Sequence, residues 1–425
     1  MTHQSVPHMV RSLARLYGPK PVVQAGSVEY TWLDLQQAAW AMAAELIEAG
    51  LPAGATAIIV AADSPEALFA EVAVQAAGGV ALTIPPPVAE EDLLAEIQAT
   101  GCAALIWDSV AGAVAEAAAT RSGRPMVEWR LDPIMPGSTR PATEDKALVA
   151  RLEHLGPEVP AVLLRTPDGR HVVLPHRAII WTGEAVARAL GGAESDSWLV
   201  MGPMTHPFMR ACGWWAPLAS CGQAVMGGSD ALAAAWATRP SLAVCLASEL
   251  PQFIARILAE LRDAQGVQNT LARWAVEARI APVSGLWPRL RKALASLAGP
   301  AVLREVVGGE LRHLVAGFDP VEPQSVAVLE ALGVRVLTAW GLAEATGVVA
   351  LGRPDWPPGG RPLEGLEVTT DEDGELLVRG PSVMFAHLGS SPEADQAFKG
   401  GALRTGVRGQ VGPDGRVVVT GGQGG

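Results

Sequence analysis

The sequence predicts an α/β fold built on doubly wound parallel sheets. Two observations predict it. From residue 38 to residue 100, runs with helical apolar spacing alternate with short β-branched runs, and glycines close each helix. From residue 303 to residue 350, the order is strand, helix, strand, then a loop rich in small residues. A chain of 425 residues that is 49% hydrophobic and 18% charged can also bury a core large enough for two or three sub-domains.

In chain order, Ala38 to Ala49 reads as an amphipathic helix closed by Gly50, and Thr56 to Ala61 as a buried strand. Pro65 to Ala77 is a helix stopped by Gly78 and Gly79; Val80 to Ile84 is a strand and Ala89 to Thr100 a helix. From Ala113 to Lys146 the chain is rich in alanine, proline and charge, and an irregular connector is expected. Pro160 to Thr166 is the next strand, and Thr166-Pro167-Asp168-Gly169 is a tight-turn sequence between two β-runs. Proline sets the first turn angle and glycine tolerates positive φ, so a hairpin is expected. A helical stretch follows from Asn269 to Ala298. Arg312 to Ala316 and Val334 to Leu337 flank the helix Pro323 to Leu332, which makes a parallel pair with a crossover helix. Ligands in open parallel sheets sit beyond the carboxyl ends of the strands, so the loops Gly317 to Pro320 and Trp340 to Gly347 form the candidate site. The acidic run Thr370 to Glu375 reads as a solvated turn before a strand at Leu376 to Arg379, and Val417 to Val419 is a last strand.

The net charge of −12 excludes nucleic acid and an anionic membrane surface as main partners. Cys102, Cys212, Cys221 and Cys245 are scattered without CxxC spacing and read as buried free thiols. Arg11 and Arg15 interrupt the run Met9 to Tyr17, so no signal peptide is indicated there. The most apolar window, Ala67 to Pro85, is too short and too polar to span a bilayer, and a cytoplasmic location is expected.

Five segments, in order, resemble motifs of the adenylate-forming (AMP-binding) superfamily, in its acyl-CoA synthetase and long-chain fatty acid-CoA ligase branch. TAWGLAEATG is similar to the loop "YGxTE", and LRHLVAGFDPVEPQ to "LRxxxSGGAPLxP". GRPLEGLEV, DGELLVRGPSVM and ALRTGVRGQVGPDGRVVVTGG are similar to "GxPxPGxEV", "GELxVRGPxVM" and "LRTGDxGxxDxDGxxxxxGR". The resemblance implies the large N-terminal domain of the acyl-CoA synthetase fold, with two doubly wound αβα sub-domains and a small β-barrel-like one. It divides the chain at 1–155, 156–350 and 351–425, with the family's C-terminal lid domain and its catalytic lysine absent. ATP or AMP, Mg²⁺, an acyl or carboxylate ligand and coenzyme A or an acyl-carrier protein are the implied ligands and partners, with a homodimer as the self-association option.

The resemblance also assigns residues. Glu344 stands where a carboxylate coordinates Mg²⁺, a role suited to a hard oxygen ligand. Trp340 stands where a tyrosine packs on adenine, with Gly341 beside it, and Gly317 keeps one glycine of the adenine-side loop. His206 lies at or beside a histidine that shapes the acyl pocket. Phe208 and Met209 suit a cavity wall or a packed core equally, and Gly213 and Ala316 complete the implied substrate set. The pattern is also broken. The phosphate loop "YTSGTTGxPKG" is replaced by LLRTPDGRHVV, about four residues shorter, leaving Thr166 of its hydroxyls and Arg170 at its lysine position. Val407 replaces the aspartate that holds the ribose, Ala343 replaces a threonine, and Phe318 replaces a glycine in the adenine-side loop. Impaired adenylation in an acyl- or partner-binding protein is expected. The alternatives are an active ligase that uses Arg170 in a rearranged phosphate loop, and an interaction subunit whose old pocket is filled by side chains.

Overall fold

The computed structural model describes residues 3–137, 145–228, 230–263, 304–391 and 396–421, and short helical pieces at 270, 273–274 and 276–278. The chain forms two sheets. The smaller has seven strands: β3 (Thr56–Val60), β4 (Val80–Ile84), β5 (Ala104–Trp107), β6 (Val127–Arg130), β7 (Pro160–Arg165), β8 (His171–Pro175) and β18 (Ala386–His387), in the order β18-β8-β7-β4-β3-β5-β6. From β7 to β6 every pairing is parallel, while β7-β8 and β8-β18 are antiparallel.

The larger sheet has a parallel centre made of β9 (Ser197–Met201), β10 (Gln223–Met226), β11 (Leu242–Leu246), β12 (His313–Gly317) and β13 (Arg335–Trp340). At one end β10 pairs in parallel with β1 (Pro21–Ala25), and β2 (Val28–Thr31) forms the edge. At the other end an antiparallel run continues through β14 (Ala350–Gly352), β15 (Gly359–Pro362), β21 (Val417–Gly421), β20 (Ala402–Val411), β17 (Glu375–Arg379) and β16 (Glu367–Thr370). The β19 strand (Phe398–Lys399) pairs with β20 off this path. The expected crossover is present: α12 (Pro323–Ala331) joins β12 to its parallel neighbour β13.

Helices fill three layers around the two sheets. The period-2 geometry of a strand sends alternate side chains to opposite faces. Trp198 and Val200 of β9 and Ala57 and Ile59 of β3 face a shared inner layer, together with α1 (Val6–Tyr17), α2 (Trp32–Glu48), α3 (Pro65–Ala76) and α7 (His176–Leu190). Leu199 and Met201 of β9 face outward, against α10 (Ala231–Thr238), α11 (Leu250–Asp263) and α12. Ile58 and Val60 of β3 face the opposite way, against α4 (Glu90–Thr100) and α5 (Gly112–Ser122). The result is an αβαβα stack.

Strand pairing crosses position 155/156, since residues 160–175 complete the smaller sheet and residues 21–31 join the larger one. Expectations for individual elements need correction. The expected helix over 38–49 begins at Trp32. Thr31 Oγ1 accepts from Asp34 N at 3.2 Å while Asp34 Oδ2 accepts from Thr31 N at 2.8 Å, a reciprocal cap that starts the helix six residues earlier. The expected connector over 113–146 contains α5 and β6, and α6 (Lys146–Glu153) begins at its end. Most of the expected helix over 269–298 lies outside the described residues. Among those residues the four cysteines are free; Cys221 is half-buried and the other three are buried.

One charged contact lies inside the inner layer. Glu71 of α3 pairs with Arg210 of α8 (Pro207–Arg210), and the two side chains are 2% and 3% exposed. Burial lowers the Arg210 pKa to about 10, against the opposing charge of Asp63. Removing one partner leaves an uncompensated buried charge. Glu71→Leu is expected to destabilise the chain by about 3–5 kcal/mol, whereas Glu71→Leu with Arg210→Met should recover most of that loss. Urea unfolding of both variants checks it; equal stability of the two would contradict the pairing.

Candidate functional site

The hairpin between β7 and β8 is as the sequence predicts, and its hydrogen bonds are turned inward. Arg165 pairs with His171, and the turn between them is closed by Gly169 N donating to Thr166 O at 2.9 Å and Thr166 N donating to Arg170 O at 2.9 Å. Gly169 takes φ +84°, the conformation glycine adopts at no steric cost. Asp168 accepts from the Thr166 hydroxyl, from Arg170 N at 3.4 Å and from Arg170 Nε at 2.7 Å. These contacts, the Thr166 hydroxyl first, together hold its pKa down to about 2 against the opposing effect of burial. Of the four N–H groups that Thr166, Asp168, Gly169 and Arg170 can offer, those of Thr166, Gly169 and Arg170 have partners within the turn.

Arg170 reaches from this hairpin to the loop after β13. Its Nη2 lies 3.8 Å from Glu344 Oε1, and its Nη1 donates to His387 Nδ1 at 3.4 Å. His387 Nε2 is 3.7 Å from the same Glu344 oxygen. The sequence-selected pair Arg170 and Glu344 is thus brought together, with His387 of β18 as a third member. The Glu344 backbone is tied to the same region, since Met384 N donates to Glu344 O at 2.8 Å. Nearby, Thr346 sits in the left-handed region at φ +60°, and its hydroxyl donates to Ser382 O at 2.5 Å.

The other expected site residues are tightly packed. Trp340 is buried at the end of β13, and its indole N–H has no hydrogen-bond partner among the described residues. A Cβ on Gly341 would stand 2.3 Å from Gly347 O, so glycine lets this loop fold onto itself. A Cβ on Gly317 would lie 2.7 Å from the Phe208 ring, so the close approach that Gly317 permits is taken by a side chain of the same protein. Phe318 adopts φ +76°, a costly conformation for a bulky residue, and its ring meets His206 edge-on at 4.7 Å and Phe208 at 5.7 Å. His206 Nδ1 accepts from Phe208 N at 3.2 Å, and burial lowers its pKa against the charge of Asp319. Phe208, Met209 and Gly213 are core residues of the inner layer, and Gly213 lies in a π-helical turn (Ala211–Trp215) over Val200. Ala316 faces the opposite layer, with α11 and α12. Val407 is buried on β20.

Open space lies to either side of this aromatic contact. A cavity of about 880 Å³ sits beyond the carboxyl ends of β9, β10 and β11, where Met201, Met204, Met226 and Phe253 meet Asp63 and Glu249. A second, of about 310 Å³, lies between the ends of β4 and β7 and is lined by Thr83, Glu96, Arg165, Thr205 and His206. Of the expected substrate residues, His206 lines the second cavity; Phe208, Met209, Gly213 and Ala316 line neither.

The arrangement of a hairpin, a β13 loop and a strand-end cavity can be compared with known proteins. A family model described as AMP-binding enzyme matches residues 10–386. The chain belongs to the AMP-binding enzyme family. This family acts on acyl or carboxylate substrates with coenzyme A and generally uses ATP and Mg²⁺. A long-chain-fatty-acid–CoA ligase of Mycobacterium bovis, FadD15, is 33% identical over 122 residues, which are 28% of this chain and 20% of the ligase. A naringenin synthase of Pestalotiopsis fici is 24% identical over 387 residues, 84% of this chain and 13% of the synthase. The chain thus spans a fifth or less of the length of these two AMP-binding relatives. Among solved structures, the inhibitor-bound N-terminal domain of FACL13 from Mycobacterium tuberculosis superposes with a TM-score of 0.74 at 15% identity, covering 99% of this chain and 100% of that one. A benzoate CoA ligase from Burkholderia xenovorans gives 0.75 at 17% identity, covering 98% and 80%. The fold is therefore that of the N-terminal domain of the acyl-CoA ligases. Among the described residues, no helix is long and apolar enough to cross a membrane.

Residues absent from the sequence reading complete the surroundings of this AMP-binding domain's site. His171 Nε2 donates to Glu96 Oε2 at 2.6 Å, and Arg165 Nε stands 3.1 Å from Glu96 Oε1. No local motif announces this pair, because α4 and β8 are 75 residues apart in the chain. Burial raises the Glu96 pKa, but the hydrogen bond and charge of His171 and the charge of Arg165 outweigh it and hold the carboxyl below its ordinary value of 4.5. A lowered folded pKa means stabilisation that is fully present above pH 4.5 and is lost as the pH falls through the folded value. His171→Phe is accordingly expected to cost about 1–3 kcal/mol at neutral pH. The difference from the native chain should shrink below pH 4.5. Urea unfolding from neutral pH down to about pH 3 measures it, and a pH-independent difference would contradict the role given to Glu96.

Proposed function

We propose that this chain is an acyl-CoA-synthetase-like protein of the AMP-binding family in which ATP-dependent adenylation is impaired and the binding of an acyl or carboxylate ligand is retained. The observation that carries this reading is the hairpin over 166–170. A phosphate cradle needs several backbone N–H groups converging on a loop with no side chains in the way. Here three of those N–H groups have partners inside the turn, Pro167 has none, and the Asp168 carboxylate adds repulsion.

The residues around Glu344 also fit Mg²⁺ poorly. Its carboxylate already faces the cations Arg170 and, when protonated, His387, which compete with a metal ion for its oxygens. Val407 offers a ribose no hydrogen-bonding atom, and Phe318 covers the Gly317 loop together with Phe208. The cavity of about 880 Å³ supports ligand binding, being apolar in part and set beyond the carboxyl ends of parallel strands.

One observation favours a second reading, that of an active acyl-activating ligase with a rearranged phosphate loop. Arg170 is 52% exposed at the hairpin tip and lies beside Glu344, where a cation could meet an incoming anion. Calorimetric titration with ATP·Mg²⁺, run beside a pyrophosphate-exchange assay over a panel of fatty acids, separates the two. Neither binding nor exchange is expected. Tight ATP binding with exchange that disappears in Arg170→Ala would overturn the impaired reading in favour of the second.

A further inference from the structure

The smaller cavity, of about 310 Å³, lies where the ends of β4 and β7 meet the loop that leads into α8. Leu82, Ile84, Val88, Leu163 and Leu164 make much of its wall apolar. Its volume falls at the low end of the range found for ligand pockets.

Two polar groups of the lining present donors that the protein leaves unused. Leu82 and Ile84 pack toward the outer layer of α4 and α5, so strand alternation turns Thr83 to the inner side, where Thr205 and His206 also line the cavity. The Thr83 hydroxyl is buried and has no hydrogen-bond partner among the described residues. His206 is the second. Its Nδ1 accepts from Phe208 N at 3.2 Å, and burial lowers its pKa against the charge of Asp319, which leaves the ring neutral at neutral pH. A neutral imidazole that accepts at Nδ1 carries its proton on Nε2. Among the described residues Nε2 has no partner, so the ring can offer a ligand a donor there and not an acceptor.

The charged groups of the lining select against an ion of either sign. Arg165 Nε stands 3.1 Å from Glu96 Oε1, and the other Glu96 oxygen accepts from His171. Asp92 adds a further negative charge from the first turn of α4. A carboxylate brought here meets two acids, while the one guanidinium is already shared. An ammonium has no lone pair for the His206 donor. An uncharged carbonyl oxygen has two lone pairs, one for each unused donor, and adds no charge.

We propose that this cavity is a second ligand site, which takes a short apolar molecule bearing an uncharged carbonyl, as in an amide or a thioester, with the carbonyl oxygen accepting from His206 Nε2 and the Thr83 hydroxyl. It shares only Pro203 with the larger cavity beyond β9, β10 and β11, to which the acyl or carboxylate reading is attached. The two assignments therefore stand or fall separately.

The test is calorimetric titration of the full chain with N-methylpentanamide, S-methyl pentanethioate, pentanoate and pentylamine, repeated on Thr83→Val and His206→Phe. At least one of the two uncharged carbonyls should bind, and the tighter of them identifies the source of the carbonyl. Each substitution should weaken it by about two- to tenfold, the value of one hydrogen bond between uncharged groups. Thr83→Val exchanges a buried hydroxyl for a methyl of similar size and should keep the native urea midpoint, so its result decides the matter even where His206→Phe fails to fold. Any pentanoate binding belongs to the larger cavity and should be equal in all three proteins. Pentanoate or pentylamine binding that Thr83→Val weakens would overturn the uncharged assignment. Amide and thioester affinities unchanged in the variants would place those ligands elsewhere and overturn the second site, and so would binding of neither, with the acyl or carboxylate reading of the larger cavity left standing in both cases.

Discussion

One helical layer has to serve two sheets, and most of the architecture follows from that constraint. The layer holding α1, α2, α3 and α7 is covered on one side by β3 and its neighbours and on the other by β9 and β11. The strands beneath it are buried on both faces, because α4 and α5 cover the far side of the smaller sheet and α10 to α12 that of the larger. Strands of this kind carry near-continuous apolar runs, such as Thr56–Val60 and Leu242–Leu246. A layer with no access to water tolerates charge only in pairs, which gives the Glu71–Arg210 contact its stake in how the two sheets are held.

The same burial explains what the sequence disclosed. Val80–Ile84 matches its predicted bounds because a β-branched run lies between Gly79 and a proline-rich stretch, so both ends carry punctuation. Alanine hid α5, where Ala115, Ala118 and Ala119 supply the buried face with too little contrast against neighbouring alanines to show a period. The hairpin at 166–170 was legible because proline, aspartate and glycine encode a turn within four residues. Its partner His387 was not, lying 217 residues from Arg170 and arriving only through pairing of β18 with β8. Asp63 and Glu249 likewise sit on different sheets' loops, and only the packed stack makes them neighbours.

At the candidate site the chain's own groups fill the space beside the loops after β12 and β13. Phe208 occupies the approach that Gly317 allows, Phe318 accepts a left-handed backbone to lie against it, and Arg170 stands by Glu344. Each of these contacts is local and unremarkable, and their effect is cumulative. The remaining volume is displaced toward the ends of β9 to β11, where the walls are methionine and phenylalanine with carboxylates among them.

The strand order also governs the sequence of events during synthesis. Val23 of β1 takes its register from Ala224 of β10, so an N-terminal strand has to wait some two hundred residues for its parallel partner. The smaller sheet waits longer, since its last strand contains His387. On a ribosome that releases the chain from its N-terminus, neither sheet can close as an autonomous early unit, and the apolar faces of α1, α2 and α3 stay uncovered until the centre of the larger sheet has emerged. A chain built this way is exposed to chaperones and proteases for most of its translation, and its native state forms late, with both sheets closing onto the shared layer.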